Sequence, residues 1–222
     1  MKNIRLEKVL SFIDKTDCLA DVGCDHGYLA IMAIEKGVSF VQLIDNKKGP
    51  LDSAKINLKH YKKMATVEYS LSSGISNILP IINTVAICGM GGELISQILL
   101  NDIEKAKNVK KIILQPNSKI SLLRKFLYDN DFDITNETIV MDNDKIYEII
   151  VASPSDGKVN FNKLDIIFGP HLRTKKDPLF ISKWVKKYEY NLEIMENIDN
   201  NSLKFEELLE ENNYIKEVLY EN

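Results

Sequence analysis

The chain alternates short apolar runs with amphipathic stretches from residue 18 to residue 128, and this pattern most constrains its fold. Cys18–Val22 and Phe40–Ile44 are short, aliphatic-rich runs typical of buried strands. Between them, residues 28–36 have the apolar spacing of a helix, and Gly37 follows where a helix would end. Repeated β-α units of this kind predict a parallel sheet with helices packed on its faces.

The same pattern predicts the remaining elements of the sheet. After an opening amphipathic helix that carries Leu6 and Val9, strands are expected at 66–69, 84–88 and 111–114, and helices at 51–61, 94–100 and 120–128. Two extended runs between Phe132 and Val151 flank Asp142-Asn143-Asp144, which predicts a hairpin. The expected fold class is therefore α/β, a mostly parallel sheet with an antiparallel edge hairpin.

The composition becomes loop-like at Ser153–Gly157, which marks a domain boundary. Beyond it, two segments with helical apolar spacing are separated by Asp199–Ser202, so a helical hairpin or coiled coil is expected. We therefore predict two domains, an α/β domain over residues 1–153 and a C-terminal helical domain over residues 160–222.

Composition narrows the class of protein. No apolar run approaches the roughly 20 residues of a membrane span, and the N-terminus lacks the apolar core of a signal peptide. The three cysteines, Cys18, Cys24 and Cys88, are odd in number and lack CxxC spacing, so neither a disulfide framework nor a metal site is expected. We expect a cytoplasmic protein that binds no metal and no membrane.

The net charge of −3 hides a segregation of charge near the C-terminus. Residues 163–187 contain seven basic side chains and two acidic ones, whereas residues 188–222 contain ten acidic side chains and two lysines. A solvated helical surface is the interpretation that charge alone favours. The alternative is a local basic face that binds phosphates.

The segment Asp21–Tyr28 joins the first strand to the first helix, where open α/β sheets bind ligands. Gly23 permits a tight turn and a close approach of the backbone to a ligand. The segment lacks both GxGxxG spacing and a Gly-Lys-Ser/Thr sequence, which argues against dinucleotide and nucleoside-triphosphate sites. Asp45, at the end of the second strand, is placed to bind both hydroxyls of a ribose. An adenosine-bearing cofactor fits both features; the alternative is a tight turn beside an exposed carboxylate.

Two further segments are expected to follow strands on the same edge of the sheet. Cys88–Gly92 contains three glycines, which let a backbone lie against a flat ligand or simply form a strand-to-helix turn. Gln115-Pro116-Asn117 offers side-chain amides to a base or cofactor, the alternative being a helix cap at Asn117.

Taken together, these segments resemble the TrmK family, the bacterial tRNA (adenine-N1)-methyltransferases that act on position 22. The matching motifs lie within residues 21–184 in the order of the family: DVGCDHGYLA, the strand-end acid followed by KKGPLDSAK, CGMGGELI, IILQPN, YEIIVA and GPHLRTKKDPLFISKW. The resemblance implies a Rossmann-like class I methyltransferase domain and a C-terminal coiled coil that grips tRNA. It also implies S-adenosylmethionine as the cofactor and tRNA as the partner; a monomer is expected.

The resemblance also assigns residues to the site. Asp25 matches the acid proposed as catalytic in the family, and Ser73 replaces the usual Asp or Asn that contacts the adenine of the cofactor. Cys24 and Cys88 replace a common serine and a common alanine. The residues implied to lie around S-adenosylmethionine are Asp21, Gly23, His26, Asp45, Ser73, Gly74, Met90 and Gly91. Those expected to contact the substrate are Arg5, Tyr28, Asn117, Lys175, Lys176, Lys183 and Lys187.

The expected chemistry is an in-line displacement of a methyl group from sulfur to adenine N1. Asp25 would stabilise the ring as it becomes cationic, whereas its alternative role is to cap the following helix. Tyr28 would stack on the target base or line its pocket. The alternative is that Tyr28 belongs to the core. Other functions remain open: a methyltransferase for a small molecule or protein, and a non-catalytic tRNA-binding protein. The missing dinucleotide fingerprint disfavours a dehydrogenase.

Overall fold

The computed structural model describes residues 3–157 and 159–220. The chain divides into two compact units, one ending at Phe161 and the other beginning at Asn162. The division lies two residues beyond the predicted start of the second domain at residue 160. The outer ends of the predicted domains, residues 1–2 and 221–222, lie outside the described residues. The assignment of a separate role to each unit stays a prediction.

One sheet forms the centre of the first unit, and its strand order is β3-β2-β1-β4-β5-β7-β6. Strands β1 to β5 pair in parallel, whereas β7 is antiparallel to both β5 and β6. This arrangement confirms the predicted parallel sheet with an antiparallel edge hairpin. The strands are β1 (Cys18–Val22), β2 (Phe40–Asp45), β3 (Thr66–Leu71), β4 (Thr84–Gly91), β5 (Lys111–Ser118), β6 (Phe132–Asp142) and β7 (Lys145–Pro154).

Helices surround this sheet, and further helices form the second unit. Those of the first unit are α1 (Ile4–Leu10), α2 (Tyr28–Lys36), α3 (Lys48–Asn57), α4 (Gly92–Asn101), α5 (Ile103–Lys107) and α6 (Ile120–Asp129), with a 3₁₀ turn at Tyr61–Lys63. Those of the second unit are α7 (Lys163–Phe168), α8 (Pro170–Lys175), α9 (Pro178–Met195) and α10 (Leu203–Tyr220). No described helix combines the length and the apolar character that crossing a membrane requires.

The register of the central strands brings their carboxyl ends to one edge. Val22 of β1 pairs with Ile44 of β2 and with Ile87 of β4, so the segments that follow these strands begin side by side. The hairpin turn between β6 and β7 lies at the same edge, because β7 runs antiparallel to β5. Residues far apart in the chain therefore meet at this edge.

Four strands extend past their predicted ends, β2 by one residue, β3 by two, β4 by three and β5 by four. Strands β4 and β5 continue to pair past residue 88, with Cys88 opposite Gln115 and Gly91 opposite Ser118, through an irregular register around Met90. The prediction that Gln115-Pro116-Asn117 follows the fifth strand is therefore wrong, because cross-strand pairing keeps these residues within β5. The Cys88–Gly92 segment likewise begins inside β4 instead of after it.

Helix boundaries also differ where local patterns are weak. Helix α3 begins at Lys48 instead of residue 51, since Pro50 is compatible with a first helical turn, and it ends at Asn57. The short helices α5, α7 and α8 were not predicted, because five or six residues carry little periodic signal.

The second unit contains the predicted helical hairpin, formed by α9 and α10. A fully buried polar contact lies between these helices, where Asn191 Nδ2 donates to Asn212 Oδ1 at 3.0 Å. Phe168 packs edge-on against Trp184 with ring centroids 4.5 Å apart, which ties α7 to α9. These contacts provide the unit with a core of its own.

Candidate active site

A cavity of about 710 Å³ lies at the carboxyl edge of the sheet. A smaller recess of about 280 Å³ adjoins it. Both are lined by Gly23, Asp45, Asn46, Lys47 and Met90, so the end of β2 and the Met90 side chain stand between them. All of the residues around both spaces belong to the first unit.

The loop after β1 turns through left-handed backbone at three positions, Gly23 (φ 73°), Asp25 (φ 46°) and Gly27 (φ 74°). A Cβ on Gly23 would overlap Cε of Met90, which lines the cavity. A Cβ on Gly27 would instead approach Leu58 Cδ1 to 2.6 Å in the core. Gly23 therefore keeps space open at the cavity, whereas Gly27 permits close packing beneath the loop.

Asp25 lines the cavity, and its side chain is 75% exposed. Non-glycine residues rarely adopt positive φ, and such strain is concentrated at functional sites. Gly27 occupies the N-cap of α2, where no side chain makes a capping hydrogen bond, so the alternative that Asp25 caps this helix is wrong. The carboxylate Oδ1 lies 3.5 Å from Nε2 of His26.

Asp21 is a buried acid with an unused oxygen. Its side chain lines the cavity, yet Oδ2 has no hydrogen-bond partner among the described residues. Burial raises the pKa of Asp21 to about 7; the charge of Asp45 also raises it, and a hydrogen bond from the Ala30 backbone opposes the shift. A buried carboxylate in this state calls for a ligand that brings hydrogen-bond donors or positive charge.

Asp45 stands at the end of β2, half-buried between the two spaces. Its Oδ1 accepts a hydrogen bond from the Lys47 backbone at 2.9 Å, which orients the carboxylate. The smaller recess beyond it is lined by Ser73 and Gly74 and by the aliphatic side chains of Leu94 and Ile98. This recess combines apolar walls with a few polar groups, as suits a flat heterocycle.

The cavity thus offers three environments in sequence. The first is the apolar recess that Ser73 lines, the second is the strand-end carboxylate of Asp45, and the third is the buried carboxylate of Asp21. They match a base, a ribose with vicinal hydroxyls and a cationic tail, respectively. The residues present therefore fit S-adenosylmethionine.

Two cysteines line the cavity as neutral thiols. Burial is the main cause that raises the pKa of Cys24 far above its ordinary value, and the charge of Asp21 adds to this effect. Burial likewise raises the pKa of Cys88 to about 12. Neither sulfur is a thiolate at neutral pH, so neither acts as a nucleophile in this cavity.

A further part of the cavity wall is formed by residues from distant parts of the chain. Arg5 of α1 lines the cavity, donates from Nη1 to Gln115 Oε1 and lies with Cζ 5.4 Å from the Tyr147 ring centroid. Asn117 lines it too, and its Nδ2 donates to Gly89 O at 2.7 Å. The alternative that Asn117 caps α6 is wrong, because the N-cap is Lys119 and no side chain caps that helix.

Most predicted site residues of the first unit line one of the two spaces. Tyr28 lies at the cavity and is 55% exposed, which excludes the alternative that it belongs to the core. His26 and Gly91 line neither space. The His26 ring lies 5.6 Å from that of Tyr28, and Gly91 precedes α4. Direct contacts of all these predicted site residues with cofactor or substrate stay predictions.

Two of the predicted basic residues of the second unit, Lys183 and Lys187, contact other side chains of that unit. Lys187 pairs with Glu211 at 3.2 Å, and the Lys183 ammonium lies 4.7 Å from the Trp184 ring centroid. Lys175 is the last residue of α8, and Lys176 follows that helix. Contacts between these lysines and a substrate stay predictions.

Sequence patterns did not identify several residues of the cavity wall. Asp142 and Asn143 line it from the hairpin turn, and Tyr147 from the start of β7. The hairpin itself was predicted, but its pairing with β5 depends on the order of strands in the sheet. Asn46 and Lys47 follow the strand-end acid, and the available signals were their adjacency to Asp45 and, for Lys47, its place at the start of the KKGPLDSAK motif.

Comparisons with known proteins agree with this geometry. The profile of the TrmK family, described as tRNA (adenine(22)-N(1))-methyltransferase, matches residues 19–221. The tRNA (adenine(22)-N(1))-methyltransferase of Bacillus subtilis (strain 168) is 28% identical over 230 residues, which cover 97% of this chain and 95% of that protein. Streptococcus pneumoniae Sp1610 in complex with S-adenosyl-L-methionine has 33% identity and a TM-score of 0.88, covering 99% of this chain and 100% of that one. M. capricolum TrmK in complex with S-adenosyl-homocysteine has 26% identity and a TM-score of 0.87, and the match covers 98% of this chain and 97% of that one.

Proposed function

This chain belongs to the TrmK family of tRNA (adenine(22)-N(1))-methyltransferases, and on that premise we propose that it transfers a methyl group from S-adenosylmethionine to N1 of adenine 22 in tRNA. The observation that carries the proposal is the unpartnered Oδ2 of Asp21, buried at a cavity that Asp45 also lines. This pair suits an adenosine cofactor with a cationic tail. The same residues would serve a small-molecule methyltransferase, and family membership favours tRNA over that alternative.

Each acid has a separate task in this mechanism. Asp45 holds the ribose hydroxyls, Asp21 accepts hydrogen bonds from the amino group of the methionine tail, and Ser73 offers a neutral contact to the cofactor's base. S-adenosylmethionine supplies, when bound, the electrophilic methyl group. Binding and orientation of the two reactants on one sheet edge then supply much of the rate acceleration.

Asp25 faces the incoming base. Adenine N1 carries its own lone pair, so no base is needed to deprotonate it before attack. The ring becomes cationic as the new bond forms, and the Asp25 carboxylate stabilises that charge more in the transition state than in the ground state. It also accepts a hydrogen bond from the exocyclic amino group.

The substrate adenine has to leave its stack in folded tRNA before N1 meets the methyl group. Tyr28, exposed at the cavity, lines the path of the extruded base. Arg5 contacts the nucleotide within the cavity, and Asn117 lines the same cavity. The second unit grips the remainder of the tRNA, and the lysines that contact its phosphates are Lys175, Lys176, Lys183 and Lys187. A tRNA-modifying role supports a cytoplasmic location.

The direct test is nucleoside analysis of a tRNA transcript after incubation with the protein and S-adenosylmethionine. We expect 1-methyladenosine in the digest, and none from a matched transcript in which adenine 22 is replaced by guanine. Methylation that is equal in both transcripts, or confined to a small molecule, would reject the proposal.

A further inference from the structure

We propose that Gln115 is a positioning residue, which holds Arg5, Gly89 and Asn117 in the arrangement that receives the target adenine. The three partners line the cavity, whereas Gln115 is fully buried behind them. This inference rests on the proposed methylation of tRNA and extends it to a residue that touches neither reactant.

The hydrogen bonds of Gln115 determine its orientation. A carboxamide has two N–H donors and an oxygen with two acceptor sites. Oε1 accepts from Arg5 Nη1 and from the Gly89 backbone N–H, the latter at 3.1 Å. Nε2 donates to Pro116 O at 3.1 Å and to Asn117 Oδ1 at 3.0 Å. All four positions are used, so rotation of the amide by 180° would break each of these bonds.

The same contacts hold the Gly89 backbone. Its N–H is bound by Gln115, and its carbonyl oxygen accepts from Asn117 Nδ2 at 2.7 Å. Since Gln115 and Asn117 also bond to each other, the three residues form a closed ring of hydrogen bonds. Gly89 has a φ of +78°, a conformation that glycine adopts without strain, and the ring determines which way its peptide faces.

Arg5 is positioned from two sides. Asp142 Oδ2 accepts from the Arg5 backbone N–H at 3.4 Å, and Gln115 binds its guanidinium. A guanidinium presents five N–H donors in a rigid plane, so fixing one of them directs the others. Gln115 therefore aligns a cation and a polar amide, those of Arg5 and Asn117, in one wall of the cavity.

These contacts predict a selective kinetic effect. Among the described residues, Gln115 makes no hydrogen bond to Asp21, Asp45 or Ser73, which we assign to the cofactor, whereas it bonds to Arg5 and Asn117, which we assign to the substrate. Loss of Gln115 should therefore impair methyl transfer to tRNA more than binding of S-adenosylmethionine.

Gln115→Met removes all four hydrogen bonds at nearly constant volume. We expect kcat for tRNA methylation at saturating cofactor to fall roughly 10- to 100-fold, the cost of misplacing groups around a reacting atom. The dissociation constant for S-adenosyl-homocysteine should change by less than about twofold. Gln115→Glu keeps an acceptor for Arg5 and Gly89 but no donor for Asn117, so its kcat should lie between those of wild type and Gln115→Met.

Gln42 provides a matched control. It is also fully buried, and it makes three hydrogen bonds from β2, two from Nε2 to Ser70 Oγ and Asn77 O and one from Leu79 N to Oε1. Gln42→Met should lose comparable thermal stability and keep kcat within about twofold of wild type. A loss of kcat in Gln42→Met equal to that in Gln115→Met would overturn the proposal, because general destabilisation would then explain both.

A second measurement separates this proposal from the proposed function. Hydrogen exchange at the Gly89 amide should be at least about tenfold faster in Gln115→Met than in wild type and unchanged in Gln42→Met, because Gln115 accepts from that N–H and Gln42 bonds elsewhere. Unchanged protection of Gly89, or unchanged kcat in Gln115→Met, contradicts the positioning role. If wild-type protein formed no 1-methyladenosine, the proposed function would fail, whereas the exchange result would still decide whether Gln115 orders this wall.

Discussion

Asp21 is buried close enough to Asp45 for the two carboxylates to interact, and burial together with this repulsion raises the pKa of Asp21 to about 7. Asp21 is the penultimate residue of β1 and Asp45 is the last residue of β2, and the register of these two parallel strands places Asp21 opposite Leu43. A proton on Asp21 is therefore exchanged in the physiological pH range, and a cationic ligand at the cavity competes with it.

The first prediction concerns cofactor affinity and pH. A ligand with a cationic amino group binds the ionised form of Asp21, so affinity for S-adenosyl-homocysteine should rise with pH and level off above pH 7. We expect binding at pH 6 to be about tenfold weaker than at pH 8, since most Asp21 is protonated at the lower pH. Calorimetry between pH 6 and pH 8 measures this change in affinity. Asp21→Asn is the control and should show weaker binding with little pH dependence.

The second prediction concerns stability without cofactor. The pKa of Asp21 is higher in the folded state than its ordinary value of 3.8, so the folded protein binds more protons than the unfolded chain between about pH 4 and pH 7. The contribution of Asp21 to stability therefore falls as pH rises through this window. Asp21→Asn should have a larger free energy of unfolding than wild type at pH 8, by on the order of a few kcal/mol, and chemical denaturation should show a smaller difference at pH 5. An equal difference at both pH values would contradict the assignment.

The third prediction concerns Asp25. Asparagine tolerates the left-handed backbone of this position (φ 46°), so Asp25→Asn removes the charge and preserves the loop. We expect kcat to fall roughly 100- to 1000-fold, as when a group that stabilises transition-state charge is removed. Affinity for S-adenosyl-homocysteine should stay within about twofold. Wild-type turnover of the variant would remove Asp25 from the mechanism.

The fourth prediction contrasts two glycines of the same loop. In Gly23→Ala the new Cβ would push Met90 into the cavity, whereas in Gly27→Ala it would meet Leu58 and Leu43 in the core. Both variants bear the strain of a positive φ, about 1–2 kcal/mol. Gly27→Ala should lose roughly 1–3 kcal/mol more in unfolding free energy because of overpacking. Gly23→Ala should show the larger loss of cofactor affinity, and chemical denaturation with calorimetry compares the pair.

The fifth prediction concerns salt. If Lys175 and Lys176 contact phosphates, tRNA binding should weaken steeply with ionic strength, and Ala at both positions should reduce the slope of log K against log salt concentration by about 1.5–2. Lys204→Ala is the control: this lysine lies on α10 and pairs with Glu207 at 3.2 Å. A wild-type affinity that does not depend on salt would reject the phosphate contacts.

Local pattern was sufficient for much of this site. Asp45 was placed beside Gly23 because aliphatic runs mark strands, and parallel β-α units bring their carboxyl ends to one edge. The structure confirms that both residues line one cavity. The same reasoning misplaced Gln115-Pro116-Asn117, since a proline and two amides resemble a turn and only cross-strand pairing with β4 extends β5 through them.

The sequence by itself determined the β-α alternation, the edge hairpin and the acids at the strand ends, because backbone preferences and apolar periodicity act over a few neighbouring residues. The tertiary structure alone decided which distant side chains complete the cavity. Arg5 reaches Gln115 across 110 positions of the chain and Asp142 across 137, contacts that depend on the order of strands in the sheet. The charge state of Asp21 was decided in the same way, since burial and the nearby Asp45, not residue type, raise its pKa.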